Sequence, residues 1–472
     1  MSALDVSIVN IAMPTLKADF IVPLATVEWV AMAYMLTLTI FLPLFGRVAD
    51  MYGRARLYNA GFVVFTMGSA LCGMSPSAGF LIGSRVLQAV GAGLLQANSI
   101  AIITAAFPSS ERGRAIGIQG AVQAVAMSIG PFLGGILIAA MGWRAVFYIN
   151  VPIGILGTLA ALLILPRDET RRRKEKVDYL GAALFTSGLL LLTLALNEAA
   201  KLGLASPRII LYFALSVVLL GLFVMTELKV QYPLVDLRMF RSFAFSAGNM
   251  TGMMSYYVLF SIMFLMPFYL ERVVGYSVAL TGGLLVPIPL AMAVVAPLAG
   301  SVSDKRGPRL MTTAGMLLCG MACLLLILLG ESSHLALLVG ILIMFGMGMG
   351  LFTPPNNSSV MGAAPKDKLS VAGGLLNMMR SLGLIFGVDI SGLIFTTLEE
   401  KAVADKGFYA VQHIFHNQLI PVSVRDVAFM TGYLVVLGVL VALSLVSALL
   451  SALRNEKPQE EPLPAAKGPE GG

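Results

Sequence analysis

The sequence predicts an all-α membrane protein that crosses the bilayer many times. Three observations predict it. The first is composition: 58% of the 472 residues are hydrophobic and 12% are charged, with a mean hydropathy of +0.87. The second is pattern. Apolar runs such as Ile155–Leu165, Leu189–Leu196 and Val435–Leu450 recur along the whole chain, and stretches of about 20 apolar residues read as membrane-spanning helices. The alternation over about 10 residues that marks a membrane β-barrel is missing. The third is the placement of the positive charges.

Dividing the chain at charge-rich and turn-rich breaks gives fourteen apolar segments. Lysine and arginine gather on the cytoplasmic side of membrane proteins, so they test the count. With the N-terminus cytoplasmic, 22 of the 32 basic residues fall in cytoplasmic loops or the tail, eight fall outside, and two, Arg85 and Arg380, fall within spans. The asymmetry holds from loop to loop and places both termini inside. It also accounts for the net charge of +7 as topology, so no nucleic-acid partner is expected. Cys72, Cys319 and Cys323 lie scattered in apolar segments and build no disulfide framework. The first segment, 1–16, makes a helix of only about 24 Å, and a span needs about 20 residues. The native chain is therefore expected to start upstream of Met1.

Four charges and two glycines crowd into GRVADMYGRAR, 46–56, after the second segment. GSVSDKRGPR, 300–309, follows the tenth segment. Both read G-x-V-x-D-x-x-G, with Gly46, Asp50 and Gly53 in register with Gly300, Asp304 and Gly307. SIGPFLGG, 128–135, aligns with IFGVDISG, 385–392, at nearly the same offset. Two halves thus share one plan, and segments 178–197 and 208–228 are left over between them. Such internal repeats mark secondary transporters, with the substrate site where the repeats meet.

At this point the resemblance to a family becomes specific. GRVADMYGRAR resembles the loop motif that follows helix two in the major facilitator superfamily. SRVLQAVGAG, 84–93, resembles its helix-four motif with a membrane-embedded arginine, and SIGPFLGG its antiporter motif in helix five. LDVSIVNIAMP, 4–14, and GWRAVFYINVPIG, 142–154, resemble signatures of the fourteen-helix drug/proton antiporter branch. The likeness covers nearly the whole chain. It departs at Ala126, where the antiporter motif has a glycine, and at Pro308, which stands where Arg54 stands in the first half. It implies a major-facilitator-type fold of two six-helix bundles, 1–165 and 242–453, joined by a basic linker with two extra helices, 166–241, and followed by a disordered tail, 454–472.

The resemblance also implies roles. Gly46, Asp50, Gly53 and Arg54, with Gly300, Asp304 and Gly307, would latch the cytoplasmic helix ends together in the outward-open state. Asp50 would do so by meeting a basic residue or the positive end of a neighbouring helix. Asp5 would face the cavity and carry the proton. Arg85 stays charged and would tune a carboxylate or hold a carbonyl; snorkelling to the surface is the plainer reading. Gly130, Pro131, Gly134 and Gly135 would form a bent, thin helix surface that seals against proton leak, or an ordinary kink. Asp389 is unexpected, since its register partner is Phe132. A proton site, a contact for cationic substrate and a structural acid all remain open for it. Asn10, Glu28 and Gln88 are cavity candidates.

His413 and His416 lack further ligands, so no metal is expected, and no cofactor motif occurs; GMGMG, 346–350, has no strand-turn-helix context. The function expected is a proton-coupled exporter of amphiphilic or cationic compounds in the cytoplasmic (inner) membrane. A solute importer or uniporter on the same fold, or a non-transporting membrane sensor, is the alternative. No nucleophile–base set suggests an enzyme. The loop 397–426 offers a surface for a periplasmic adaptor protein.

Overall fold

The computed structural model describes residues 1–22, 24–165, 178–231, 233–329, 334–365, 368–405 and 422–454. The basic run 171–174, the histidines at 413 and 416 and the tail from 455 lie outside them. Among the described residues the structure is helical without strands. The helices are α1 (Ser2–Phe20), α2 (Leu24–Tyr52), α3 (Arg54–Gly73), α4 (Ala78–Ala106), α5 (Ser109–Met141), α6 (Ala145–Tyr148), α7 (Asn150–Ile164), α8 (Tyr179–Leu202) and α9 (Pro207–Lys229). They continue with α10 (Phe243–Phe268), α11 (Val278–Leu285), α12 (Pro287–Arg306), α13 (Pro308–Leu329), α14 (Leu335–Gly362), α15 (Leu369–Asp405) and α16 (Val422–Ala452).

Eleven of the described helical stretches are long and apolar enough to span a membrane, or twelve if the bent α5 is one span. The expected fourteen is larger because α1 and α3 fall short. α1 carries Asp5, Asn10, Lys17 and Asp19, and α3 opens on Arg54, Arg56 and Asn59. Both are helices at the expected places. They are too polar to qualify by hydropathy alone.

Local chemistry sets the helix ends. Ser77 accepts a hydrogen bond from the Phe80 amide and caps α4. Asp178 does the same for α8 through the Gly181 amide at 2.8 Å. Gly53 (φ 108°) and Gly307 (φ 81°) make the sharp exits from α2 and α12, a backbone shape that a Cβ disfavours. Each is followed by the first residue of the next helix, Arg54 in one half and Pro308 in the other. Proline lacks an N–H and fits a first helical position, so the sequence departure at Pro308 leaves the turn intact.

Helix packing repeats along with the sequence. α15 packs on α2 and α4, and α5 packs on α12 and α14. α4 is central, with 61% of its most apolar stretch buried; α9 is peripheral, at 17%. α9 leans on α8, where Ser216 Oγ donates to the Gly188 carbonyl at 2.8 Å, and α8 rests on α2 and α15.

The chain leaving α9 runs back across the end of the molecule that carries the basic loops. There Glu227, 4% exposed, accepts the Leu234 and Val235 amides at 3.2 and 2.9 Å. Arg47 of α2 donates to the Pro233 carbonyl. Lys368, just before α15, meets Asp236 at 2.5 Å. The segment 233–241 is thus strapped to an α2 residue and to the start of α15. Burial alone pushes the Asp236 carboxyl up, but the Lys368 ammonium and the Arg238 amide hold it below the usual carboxylate range. A depressed folded value means the contact stabilises above the unfolded pKa of about 3.9 and is lost as pH falls through the folded one. The pair is partly exposed, so Lys368→Ala is expected to cost about 0.2–1 kcal/mol. Thermal unfolding in detergent at pH 7 should show a small drop, and the drop should vanish under strong acid.

Candidate functional site

Two kinds of polar site break the apolar interior. The first lies where α1, α2, α3, α4 and α7 converge. Asp5 is fully buried and Arg85 is 1% exposed. Arg85 Nη1 donates to Asp5 Oδ2 at 2.5 Å and to Gln88 Oε1 at 2.5 Å, and its Nε donates to the Val30 carbonyl at 3.1 Å. Asp5 Oδ1 accepts from Gln88 Nε2 at 2.8 Å and from Asn150 Nδ2 at 2.9 Å. Gln88 Nε2 also reaches Ser69 Oγ at 2.7 Å. The guanidinium carbon sits 4.0 Å from the centre of the Tyr34 ring. A buried charge pair needs such added hydrogen bonds to offset the loss of water, although Asn150 Oδ1 and the Tyr34 hydroxyl are buried without a partner among the described residues. Snorkelling does not describe Arg85 here.

α5 touches α1 beside this cluster. A Cβ on Gly130 would lie 2.9 Å from Ser7 Cβ, and one on Gly134 would lie 2.8 Å from Ile8 Cγ1. Both glycines are therefore needed for the approach, two and three residues along from Asp5. Gly135 faces open space. α5 bends by 43° between Met127 and Phe132, the stretch that holds Gly130 and Pro131.

The second kind of site lies at the basic-loop end and occurs twice. Asp50, at the end of α2, accepts the Ser370 and Val371 amides of α15 at 3.2 and 3.0 Å. Arg54 donates to Asp50 at 3.0 Å and to Ser370 Oγ at 2.8 Å. Asp304, at the end of α12, accepts the Gly113 and Arg114 amides of α5 at 2.8 and 3.0 Å. The glycines that open the two repeats complete the match. Gly46 presses on the Ser370–Val371 backbone, and Gly300 on the Gly113–Arg114 backbone, too closely for a Cβ in either place. Helix starts leave amides unsatisfied and carry partial positive charge, so a carboxylate from the other repeat caps α15 in trans.

Asp389 has no hydrogen bond or ion pair among the described residues and is half-buried. It lies nine residues from Arg380, two and a half turns of helix, so the two point to opposite faces of α15. Nothing is described of the side chains of Asn10, Glu28 and Pro131. Among the described residues no His, Cys, Asp and Glu side chains group to hold a metal. The sequence reading singled out Asp5, Arg85 and Gln88 but not Asn150, Ser69 or Tyr34. Asn150 had a signal, a lone amide in the apolar GWRAVFYINVPIG; Ser69 and Tyr34 had none.

Comparison with known proteins fits this architecture. Residues 1–388 match the Major Facilitator Superfamily. The chain is 38% identical over 416 residues to the riboflavin transporter RibZ of Clostridioides difficile (strain 630), covering 87% of this chain and 90% of that one. It is 32% identical over 414 residues to the multidrug resistance protein Stp of Mycobacterium tuberculosis (strain CDC 1551 / Oshkosh), covering 86% and 77%. The fold resembles that of the proton:xylose symporter XylE, with a TM-score of 0.60 at 12% identity over 95% of this chain and 91% of that one. The chain belongs to the major facilitator superfamily and is a multi-pass membrane transporter of small molecules, not an enzyme.

Proposed function

We propose that the protein is a proton-coupled antiporter of the cytoplasmic membrane that exports amphiphilic or cationic compounds by alternating access, a multidrug efflux pump conferring drug resistance. Two six-helix bundles, 1–165 and 242–453, rock about the contact of α2 and α4 with α15 and of α5 with α12 and α14. Both termini face the cytoplasm. The observation that carries the reading is the pair of crossed carboxylate contacts at the basic-loop end. They hold that end shut and leave the opposite end free to open, as an exporter releasing its load requires. Gly46, Gly53, Gly300 and Gly307 let the backbones close, and Arg54 braces one contact.

Proton coupling falls to Asp5. As a carboxylate it holds Arg85, Gln88 and Asn150 together. A proton on Asp5 removes the charge that Arg85 neutralises, and the cluster loosens. The Gly130–Gly134 surface of α5 rests on α1 beside it, while the other end of α5 binds Asp304. One helix therefore links the proton site to a latch, and it bends at Gly130 and Pro131, where it meets α1. Differential binding of the proton to the two states is what shifts their balance. Asp389 is a second acid available for protons. An adaptor protein on 397–426 has no support of its own: 397–405 and 422–426 are helical, in α15 and α16, and 406–421 lie outside the described residues.

The name of RibZ favours a second reading, transport of one dedicated solute. Inverted vesicles from an efflux-deficient host distinguish the two. The multidrug reading expects several unrelated dyes and antiseptics each to discharge an imposed proton gradient; the dedicated reading expects a response to one chemical class. Asp5→Asn should abolish substrate-dependent proton movement while the protein still elutes as a single folded peak. Unchanged coupling in that variant would remove Asp5 from the mechanism. Asp50→Asn should lower the transport rate by about tenfold, the effect of some 1.4 kcal/mol, with expression and melting temperature little altered. Wild-type rates would refute the latch.

A further inference from the structure

α15 turns one face toward α4 across the junction of the two halves. A Cβ on Gly373 would lie 2.8 Å from the Ala97 carbonyl oxygen of α4. Asn377 donates to the Gln96 carbonyl of α4 at 2.9 Å and to the Gly373 carbonyl at 3.0 Å. Arg380 follows Gly373 by seven residues, close to two full turns, so it projects from the same face. It is 8% exposed. Its partners are Asn377 Oδ1 at 3.3 Å and the Tyr256 ring, whose centre is 5.2 Å from the guanidinium carbon. Among the described residues no carboxylate lies within 4.0 Å of it. Arg85 has Asp5; Arg380 has no such acid among the described residues. A guanidinium offers five N–H donors and keeps its charge. Burying one at membrane depth without a counter-ion is costly, and such residues face cavities that do work.

Tyr256 begins a row of rings on α10. Tyr256, Phe260, Phe264 and Phe268 recur every fourth residue, and all four are partly exposed. Their neighbours Tyr257, Val258, Leu259, Ile262, Leu265 and Met266 are buried. Tyr256 and Phe260 stack with centres 6.2 Å apart, and Phe264 meets Phe268 edge-on at 5.3 Å. α15 flanks the row, since a Cβ on Gly392 would touch the Phe264 ring at 3.5 Å. Arg272 lies 5.4 Å from the Phe268 ring at the far end. A strip of rings about 18 Å long thus leads from Arg380 toward the outer end of α10.

We propose that Arg380 and Tyr256 bind the anionic group of a planar aromatic substrate whose ring system lies along Phe260, Phe264 and Phe268. Asn377 is a positioning residue: its Nδ2 is tied to backbone, and its oxygen aims the guanidinium. A carboxylate, sulfonate or phosphate fits the guanidinium fork, and flat rings suit the aromatic row. The proposal rests on the export reading for its direction of travel; of the amphiphilic compounds in that reading it selects the anionic aromatic ones and sets the cationic ones aside.

The test uses the full chain purified in detergent and two dyes with one xanthene plane and opposite charge, fluorescein and rhodamine 6G, read by fluorescence polarisation. Fluorescein should bind about tenfold or more tighter, as expected for a charge-assisted, two-pronged contact. Arg380→Gln should erase that preference. Arg380→Lys, which keeps charge but loses the fork, should restore part of it. Tyr256→Leu should weaken both dyes. Equal or tighter binding of rhodamine 6G by the wild type overturns the proposal, and so does unchanged fluorescein binding by Arg380→Gln. If Arg380→Gln does not elute as a single peak, the wild-type preference decides alone. No gradient is needed for binding, so the two readings fail separately. Fluorescein bound but not pumped under a pH gradient refutes export and leaves the site. Dyes pumped without any charge preference in binding refute the site and leave export.

Discussion

A carboxylate at the end of one helix accepts two backbone amides from a helix of the other repeat, and this happens twice. Asp50 reaches Ser370 and Val371; Asp304 reaches Gly113 and Arg114. At Ser370 and Val371, in the first turn of α15, the carboxylate also supplies acceptors that the helix lacks; at Gly113 and Arg114 it meets amides one turn inside α5. Hydrogen bonds to charged groups contribute about 1.5–3 kcal/mol each, a figure already net of the water that would otherwise fill them. In the proposed cycle these contacts break as the basic-loop end opens, so other interactions must offset them there, because two states must both be populated for a modest stimulus to exchange them.

The rest of the architecture serves this constraint. Gly46 and Gly300 bring the backbones close enough for the acids to reach. Gly53 and Gly307 reverse the chain immediately afterwards. The strap at 233–241 binds α2 through Arg47 and the start of α15 through Lys368, so the extra helix pair is tied to the two helices that form the Asp50 contact. The halves are thus related by sequence and packing but are unequally braced. α5 lies against α1 beside the buried Asp5–Arg85 cluster and gives its amides to Asp304, and α15 carries both the Asp50 contact and Arg380.

Much of this was legible in the sequence. The repeated Asp and Gly spacing marks Asp50 and Asp304 in the sequence, though not the amides that each of them meets. Asp5 and Arg85 stood out because ionised residues are rare in spans. Gln88 did too, but the meeting with Asn150 did not, since Asp5 and Asn150 lie 145 residues apart and no local pattern reports such a meeting. The amides that receive Asp50 belong to Ser370 and Val371, ordinary residues whose role comes from being first in a helix. Asp236 and Lys368 read as two more charges in basic loops. Hydropathy alone supports eleven or twelve of the fourteen expected segments, because α1 and α3 form at the expected places but carry too many polar residues to qualify. Arg380 was visible as a charge in a span, but the missing acid and the aromatic row required the fold.

The claim on which the account turns is that the two carboxylate contacts hold the basic-loop end closed. Spin labels at Arg56 of α3 and Arg309 of α13, in lipid nanodiscs, measure the gap between the halves there by double electron–electron resonance. The account predicts a dominant short distance for the protein with both acids, a partial shift to longer distances for Asp50→Asn or Asp304→Asn, and a larger shift for the two together. An unchanged distance distribution in the double substitution would contradict it.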